Sequence, residues 1–163
     1  MNHFFLDANA WIKRFHDEPG TDVVDHLVDM LLTSPQRIAI SALGLTEVAA
    51  ALNRHRNDAR LPVTVLEQAI ERLLVEASTM DVLPVNEAVV LGSLPYIIQH
   101  NINASDALYL HQLLLLRELL DLIDHHIVLV ASDRRLLRAA TAEGIAVLDP
   151  EVSGRADIER LIG

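Results

Sequence analysis

The stretch that decides the fold is His3-Phe4-Phe5-Leu6-Asp7-Ala8-Asn9-Ala10-Trp11-Ile12, near the start of the chain. Residues suited to a buried strand run directly into an acid, and an amphipathic segment that favours a helix begins at Ala10. In an α/β protein, ligands bind at the carboxyl ends of parallel strands. Asp7, with the amide of Asn9 two residues later, is therefore predicted to belong to a functional site. Taken alone, Asp7 fits a helix N-cap equally well.

Composition indicates a single domain with a core of leucine, valine, isoleucine and alanine. The chain has 163 residues, of which 51% are hydrophobic and 4% aromatic, which is enough to bury a core. Without cysteine it has no disulfide, thiolate metal site or cysteine nucleophile, and it fits a reducing cytoplasm. No signal peptide is visible, and no apolar run approaches the roughly 18 residues of a membrane span. We therefore expect a cytoplasmic protein with no membrane partner.

The charge of the chain limits its chemistry. A formal charge of −10 argues against tight non-specific binding of nucleic acid. It does not exclude a nucleic-acid substrate, because acids gathered at a metal site contribute to that total. Lys13 is the only lysine, and it follows neither a strand nor a glycine-rich loop. Reactions that need a phosphate-cradling or Schiff-base lysine are therefore disfavoured.

Strands and helices alternate along the chain, which predicts an α/β fold with a parallel central sheet and helices on both faces. After the first strand, further strands are predicted at residues 37–40, 80–85, 127–130 and 145–148. One intervening helix is predicted to break or bend near Gly92 and Pro95, and a strongly apolar helix is predicted for residues 105–122. We divide the chain into a domain of residues 1–150 and a C-terminal tail of residues 151–163, packed on that domain or trailing from it.

Four acids occupy matching ends of the predicted elements. Asp7 and Asp133 follow strands, and Glu47 and Asp106 lie in helices entered from the same edge of the sheet. Convergent carboxylates repel one another in a small pocket unless a cation is present. Ligation by oxygen alone selects Mg²⁺ or Mn²⁺ over zinc. The sequence therefore predicts a divalent-metal site at this edge.

Each acid also has an ordinary structural explanation. Asp7 and Asp133 fit helix caps, and Glu47 fits a solvated helix position. With Asn103 as the cap, Asp106 would be the third helical residue and could close a capping box. The joint placement of all four acids favours the functional interpretation.

Four segments carry a resemblance to a known family: residues 5–13, 41–48, 104–110 and 130–136, which contain the four acids in order. In these contexts the chain, from Phe4 to Pro150, resembles a PIN domain, and most nearly the VapC-type toxins of toxin–antitoxin pairs. The resemblance implies a PIN-like three-layer fold and an endoribonuclease that uses Mg²⁺ or Mn²⁺. It also implies an RNA substrate, a cognate antitoxin protein and a homodimer.

The resemblance assigns roles to individual residues. It implies that Asp7, Glu47, Asp106 and Asp133 are both the catalytic residues and the metal ligands. Asn9 matches the polar residue two positions after the first acid, and Ser132 is assigned a supporting role. Arg134 and Arg135, in the only basic cluster near the predicted site, are candidate contacts to substrate phosphates.

Two positions depart from the family pattern. Ala131 stands where threonine or serine is usual, and Ala8 stands where threonine is common. Each change is expected to weaken the positioning of the metal unless another hydrogen bond compensates. Ser132 lies next to Ala131 and is the nearest source of a hydroxyl group.

Two alternative functions remain open at the level of sequence. A phosphotransfer domain of the haloacid-dehalogenase or receiver type also has an aspartate after its first strand. That class needs a second acid two residues later, where this chain has Asn9, and a lysine late in the chain, which is absent. The other alternative is a catalytically degenerate PIN-fold binding module, and the four intact acids argue against it.

Overall fold

A computed structural model describes all 163 residues. Its five strands form a single parallel sheet in the order β3-β2-β1-β4-β5, with helices on both faces. The predicted three-layer α/β architecture is therefore confirmed. The strands are β1 (Asn2–Leu6), β2 (Ile38–Ser41), β3 (Asp81–Leu83), β4 (His126–Val130) and β5 (Ala146–Leu148).

Eight α-helices connect and cover these strands. None of them is both long enough and apolar enough to cross a membrane. A single 3-10 turn, Ile12–Arg14, continues the first helix. The helices are α1 (Ala8–Trp11), α2 (Thr21–Leu31), α3 (Ala42–Asp58), α4 (Val63–Ala77), α5 (Glu87–His100), α6 (Ala104–Asp121), α7 (Arg134–Ala142) and α8 (Arg155–Ile162).

The sheet separates two hydrophobic cores because neighbouring strand residues point to opposite faces. In β1, Phe4 and Leu6 enter the core shared with α2, α3, α4 and α8, whereas Phe5 enters the core shared with α6 and α7. β4 repeats the pattern, with Val128 on the first side and Leu129 on the second. Burial on both faces explains why the central strands read as nearly continuous apolar runs.

The sequence predicts that the fifth helix breaks or bends near Gly92 and Pro95. A break is wrong, because α5 runs without interruption from Glu87 to His100. Pro95 is exposed, so the hydrogen bond that it cannot donate is missing on the solvent side, where helices bend at little cost. Gly92 faces α6, and a Cβ atom there would lie 2.2 Å from Nε2 of His111. Gly92 therefore leaves room for α6, and Pro95 is accommodated on the exposed side of a continuous helix.

Two other boundaries also differ from the prediction. The third strand is only Asp81–Leu83, shorter than the predicted residues 80–85, because Pro84 has no N–H group with which to extend the ladder. The first helix starts at Ala8, directly after Asp7. The turn from strand to helix is thus completed within one residue, and that residue is the acid.

The last helix lies within the segment 151–163 and packs on the rest of the chain. Ile158 is fully buried in the core that contains Phe4 and Leu6. The side chain of Asn2 donates a hydrogen bond to the carbonyl of Leu161 at 2.8 Å, and that of Gln36 donates one to the carbonyl of Ile162 at 2.8 Å. These contacts hold α8 beside the amino ends of β1 and β2.

Gly20 packs closely against the backbone of Pro150. Its replacement by a larger residue is expected to destabilise the fold. Its φ is +88°, and a Cβ atom would lie 2.7 Å from the carbonyl oxygen of Pro150. Gly20→Ala combines left-handed strain with a backbone clash, so we expect the free energy of unfolding to fall by about 2–3 kcal/mol. Urea denaturation measures this change. Gly154→Ala is the matched control, because no atom lies within 4 Å of its added Cβ; equal losses in both variants would contradict the explanation.

Candidate active site

The site lies where the order of the strands reverses direction. β1 and β4 are neighbours in the sheet, and the connections that leave their carboxyl ends run towards opposite edges. Such a switch point opens a crevice in parallel α/β sheets. The backbone N–H of Asp7, one residue past the end of β1, donates to the carbonyl of Val130, the last residue of β4, at 3.1 Å. Asp7 therefore begins the crevice, and Asp133 follows β4 on its other side.

A cavity of about 230 Å³ occupies this crevice. Glu47 and Arg54 come from α3, Asp106 and Tyr109 come from α6, and Asp133 precedes α7. Asn9 and Ala8 line it from α1. Asp7 is not part of the lining; it is only 1% exposed. Side chains from four separate parts of the chain thus meet at the edge of the sheet that the sequence pattern indicated.

Asp7 is a helix cap and also lies among the other predicted acids. Its Oδ1 accepts a hydrogen bond from the backbone N–H of Ala10 at 2.6 Å, so Asp7 is the N-cap of α1. The pKa of Asp7 is raised to about 8, chiefly by burial. The charges of Asp106, Asp133 and Glu47 also raise this pKa, whereas the bond from Ala10 lowers it. The influence of the other three acids on this pKa means that all four belong to one electrostatic cluster.

Asp106 is a buried acid without a hydrogen-bond donor. It occupies the third position of α6, and Oδ1 of Asn103 caps the helix by accepting from its backbone N–H at 2.8 Å. The carboxyl group itself closes no capping box: Asp106 is 5% exposed, and its buried Oδ2 has no partner. Burial, together with the charges of Asp133 and Glu47, raises its pKa to about 6, although Arg135 acts in the opposite direction.

Tyr109 fixes the orientation of Glu47. Its hydroxyl group donates a short hydrogen bond to Oε2 of Glu47. Tyr109 is 2% exposed and packs edge-on against Phe5 at a centroid distance of 5.9 Å. Burial and the bond to Glu47 raise the pKa of Tyr109 above its usual value, so the hydroxyl remains a donor. Glu47 is therefore held in place and is not the freely solvated residue considered from the sequence.

Asp133 caps α7 and also borders both sides of the crevice. Its Oδ1 accepts from the backbone N–H groups of Arg135 at 2.7 Å and Leu136 at 3.1 Å.

A second cavity, of about 320 Å³, shares Asn9, Ile12 and Asp133 with the first. It also contains Ser132, whose buried Oγ has no hydrogen-bond partner, and the ammonium group of Lys13. Lys13 bridges Glu18 at 3.1 Å and Glu151 at 3.0 Å.

The predicted basic contacts lie outside both cavities. Arg134 and Arg135 are exposed in the first turn of α7, and neither lines the acidic cavity or its neighbour. Ala131 is fully buried in the second core, so the hydroxyl usual at this position is replaced by an apolar contact. Ala8 lines the cavity and likewise brings no hydroxyl.

Sequence reasoning did not name Arg54 or Tyr109 as site residues, although both also line the cavity. Arg54 lies seven positions after Glu47, and Tyr109 lies three positions after Asp106. Both spacings return to the same face of a helix. Extending each acid along its own helix by one or two turns would have found both residues.

Comparisons with known proteins agree with this α/β fold. The family model described as PIN domain matches residues 4–142. The chain belongs to the PIN domain family. A search of the curated proteins gave no significant match.

Solved structures with the same fold include several complexes. A toxin–antitoxin complex from Klebsiella pneumoniae is 17% identical with a TM-score of 0.59, covering 90% of this chain and 96% of its own. VapBC-1 from nontypeable Haemophilus influenzae is 16% identical with a TM-score of 0.60, and the match covers 92% of this chain and 98% of that chain. VapBC2 from Rickettsia felis, bound to a DNA fragment from its promoter, is 16% identical with a TM-score of 0.61. The match covers 91% of this chain and 98% of that chain. At these identities the likeness concerns the fold.

Proposed function

We propose that this protein is a divalent-metal-dependent endoribonuclease and the toxin of a toxin–antitoxin pair. The observation that carries the nuclease proposal is the acid cluster of Asp7, Glu47, Asp106 and Asp133, which coincides with a cavity at the switch point of a PIN domain. Within that cluster, the buried Oδ2 of Asp106 has no donor from the protein. A buried acceptor of this kind is costly unless a ligand completes it.

The donor set fits Mg²⁺ or Mn²⁺, because every side chain in the cluster offers carboxylate oxygen. As the side chains stand, no three histidine, aspartate or glutamate residues form a group that holds a metal ion. The pKa values of Asp7 and Asp106 are raised, so in the absence of a cation protons relieve part of the repulsion among the acids. Ligation therefore requires these carboxyl groups to exchange their protons for the ion and to turn towards it.

The residues of the chain take distinct roles in this proposal. Asp7 and Asp106 are the principal metal ligands, and Asp133 and Glu47 complete the set. The hydroxyl of Tyr109 holds Glu47 towards the cavity. When bound, the metal would lower the pKa of its water and offset the charge of the RNA phosphodiester. Asn9 and Ser132 support the acids, and Arg134 and Arg135 remain candidate contacts to phosphates beyond the cavity.

Cleavage of RNA in the presence and absence of chelator tests the nuclease proposal. We expect single-turnover cleavage of RNA with Mg²⁺ or Mn²⁺, products with a 5′-phosphate and a 3′-hydroxyl, and loss of cleavage in EDTA that excess metal restores. A catalytically degenerate binding module would bind RNA without cutting it. Cleavage that persists unchanged in EDTA would contradict the metal-dependent mechanism. The phosphotransfer alternative is set aside because the PIN family match covers residues 4–142.

The toxin proposal adds an inhibitory partner. The solved structures with this fold include toxin–antitoxin complexes. A chain with a charge of −10 and a carboxylate cluster suits a basic, amphipathic peptide whose Arg or Lys enters the cavity. The apolar face of α2 is buried against the sheet and cannot contact such a peptide. Its hydrophobic side chains would instead contact exposed residues of α4 such as Leu74 and Val75. Expression of the chain alone should slow growth, and equal growth with the Asp7→Asn form would contradict a toxin.

We also propose that the protein is a homodimer. The outer face of α5 exposes Val90, Leu91, Leu94 and Ile98, and Ile98 is 88% exposed. An apolar patch of this kind on a soluble domain marks an interface. Light scattering at micromolar concentration should give the mass of two chains. The Ile98→Asp variant should shift the species towards one chain, and a monomeric parent would overturn the proposal.

A further inference from the structure

Arg54 is the only positively charged residue that lines the acidic cavity. Its side chain is exposed and forms no hydrogen bond or ion pair, although Glu47, Asp106 and Asp133 line the same cavity. By contrast, Arg14 bridges Asp25 and Glu76, and Arg37 bridges Asp81. Arg54 is thus not the counter-ion of the acid cluster, and its guanidinium group is free to bind an external anion.

The surface of α3 between Glu47 and Arg54 forms a shallow track. Glu47, Ala50, Ala51 and Arg54 are spaced at i, i+3, i+4 and i+7, and all four line the cavity. Seven residues of α-helix span roughly 10 Å along the axis. The two alanines between the charged ends leave room above the helix, so an extended chain lying on it would contact the acids at one end and Arg54 at the other.

We propose that Arg54 binds a phosphate of the RNA strand next to the one held at the acid cluster. The backbone of Arg54 lies roughly 10 Å along the helix from that of Glu47, which favours a phosphate next to the reacting one, and an arginine guanidinium matches phosphate geometry. The substrate would therefore place at least two phosphates of one RNA strand along α3, and Arg54 is a positioning residue. This inference rests on the proposed nuclease function.

The number of phosphate contacts is measurable from the salt dependence of binding. For single strands, log K falls with log salt by about 0.7 per phosphate contact. A fluorescent single-stranded oligoribonucleotide of mixed sequence is titrated at several salt concentrations and fixed Mg²⁺. The protein is the full chain carrying Asp7→Asn, which is expected to slow cleavage roughly a hundredfold or more. In that background, Arg54→Ala should weaken binding roughly three- to tenfold and make the slope shallower by about 0.7. Arg54→Lys should keep the slope of the parent.

Arg160→Ala is the control for net charge. Arg160 lies on α8, is 76% exposed and pairs only with Asp157, at 3.2 Å. It changes the total charge as much as Arg54→Ala does, and it should leave both affinity and slope at the parent values. Equal affinities and slopes for Arg54→Ala and Arg160→Ala would overturn the inference.

Cleavage by the chain with intact acids separates this inference from the proposed function. If that chain cuts the same RNA only with Mg²⁺ while the two arginine variants bind alike, the role of Arg54 fails and the nuclease proposal stands. If the chain neither cuts nor binds the RNA, both proposals fail. If it binds without cutting and only Arg54→Ala flattens the slope, the phosphate contact stands and the nuclease proposal fails.

Discussion

Asp7→Asn and Asp106→Asn are each expected to lower kcat/KM for RNA cleavage roughly a hundredfold or more, because each removes an anionic ligand from the proposed metal site. The fold should survive both changes. Asparagine at position 7 still accepts the hydrogen bond from Ala10 that caps α1. At position 106, the new amide lies beside acceptor carboxylates and relieves the repulsion that raises the pKa of Asp106. Single-turnover assays at saturating Mg²⁺ measure the loss.

Asp121→Asn provides the matched control on the same helix. Asp106 and Asp121 lie at opposite ends of α6, separated by roughly 22 Å along its axis. Asp121 is exposed, and its replacement changes the total charge in the same way. Its cleavage rate should remain within twofold of the parent rate. Activity near the parent level for both Asp7→Asn and Asp106→Asn would remove these acids from the mechanism.

The layers of the fold were predictable because the strands alternate with helices and carry distinct apolar runs. The strand residues Phe4 to Leu6 are buried on both faces of the sheet. Such a continuous apolar run can be recognised in the sequence without knowing which strands and helices pack against it. The outcome for α5 could not be predicted in the same way. Whether Pro95 and Gly92 interrupt a helix depends on which side faces solvent and on the ring of His111 from α6. Sequence gives the local preference, whereas the packing of α5 on α6 decides the result.

The candidate site was also predictable only in part. The positions of Asp7, Glu47, Asp106 and Asp133 at the ends of elements follow from the chain order alone. Their burial does not: a carboxylate after a strand is compatible with full exposure, and only the packing of α1 and α6 over the switch point leaves Asp7 at 1% and Asp106 at 5% exposure. The bond from Tyr109 to Glu47 joins residues 62 positions apart, a pairing that helical periodicity could suggest only after the helices were placed.

Burial of the acids makes the stability of the metal-free protein fall as pH rises. The pKa of Asp7 is raised from 3.8 to about 8, and that of Asp106 to about 6. Between pH 4 and those values the folded state keeps protons that the unfolded state has lost. The free energy of unfolding therefore falls with rising pH, by at most about 1.4 kcal/mol per pH unit for each group, and this contribution levels off above about pH 8. Urea denaturation in EDTA across pH 5–8.5 should show the decline, and Asp7→Asn should flatten it relative to Asp121→Asn.

Metal binding should reverse that decline, because the ion binds the deprotonated carboxylates in place of their protons. The rise in Tm on adding Mg²⁺ or Mn²⁺ should therefore be small near pH 5, where Asp7 and Asp106 hold their protons, and largest near pH 8. Calorimetry in two buffers of different ionisation enthalpy should detect proton release on binding near pH 7. Asp121→Asn should behave as the parent, and Asp7→Asn should lose most of the Tm increase. A metal-induced shift that is equal at pH 5 and pH 8 would show that the ion binds elsewhere than among these buried acids.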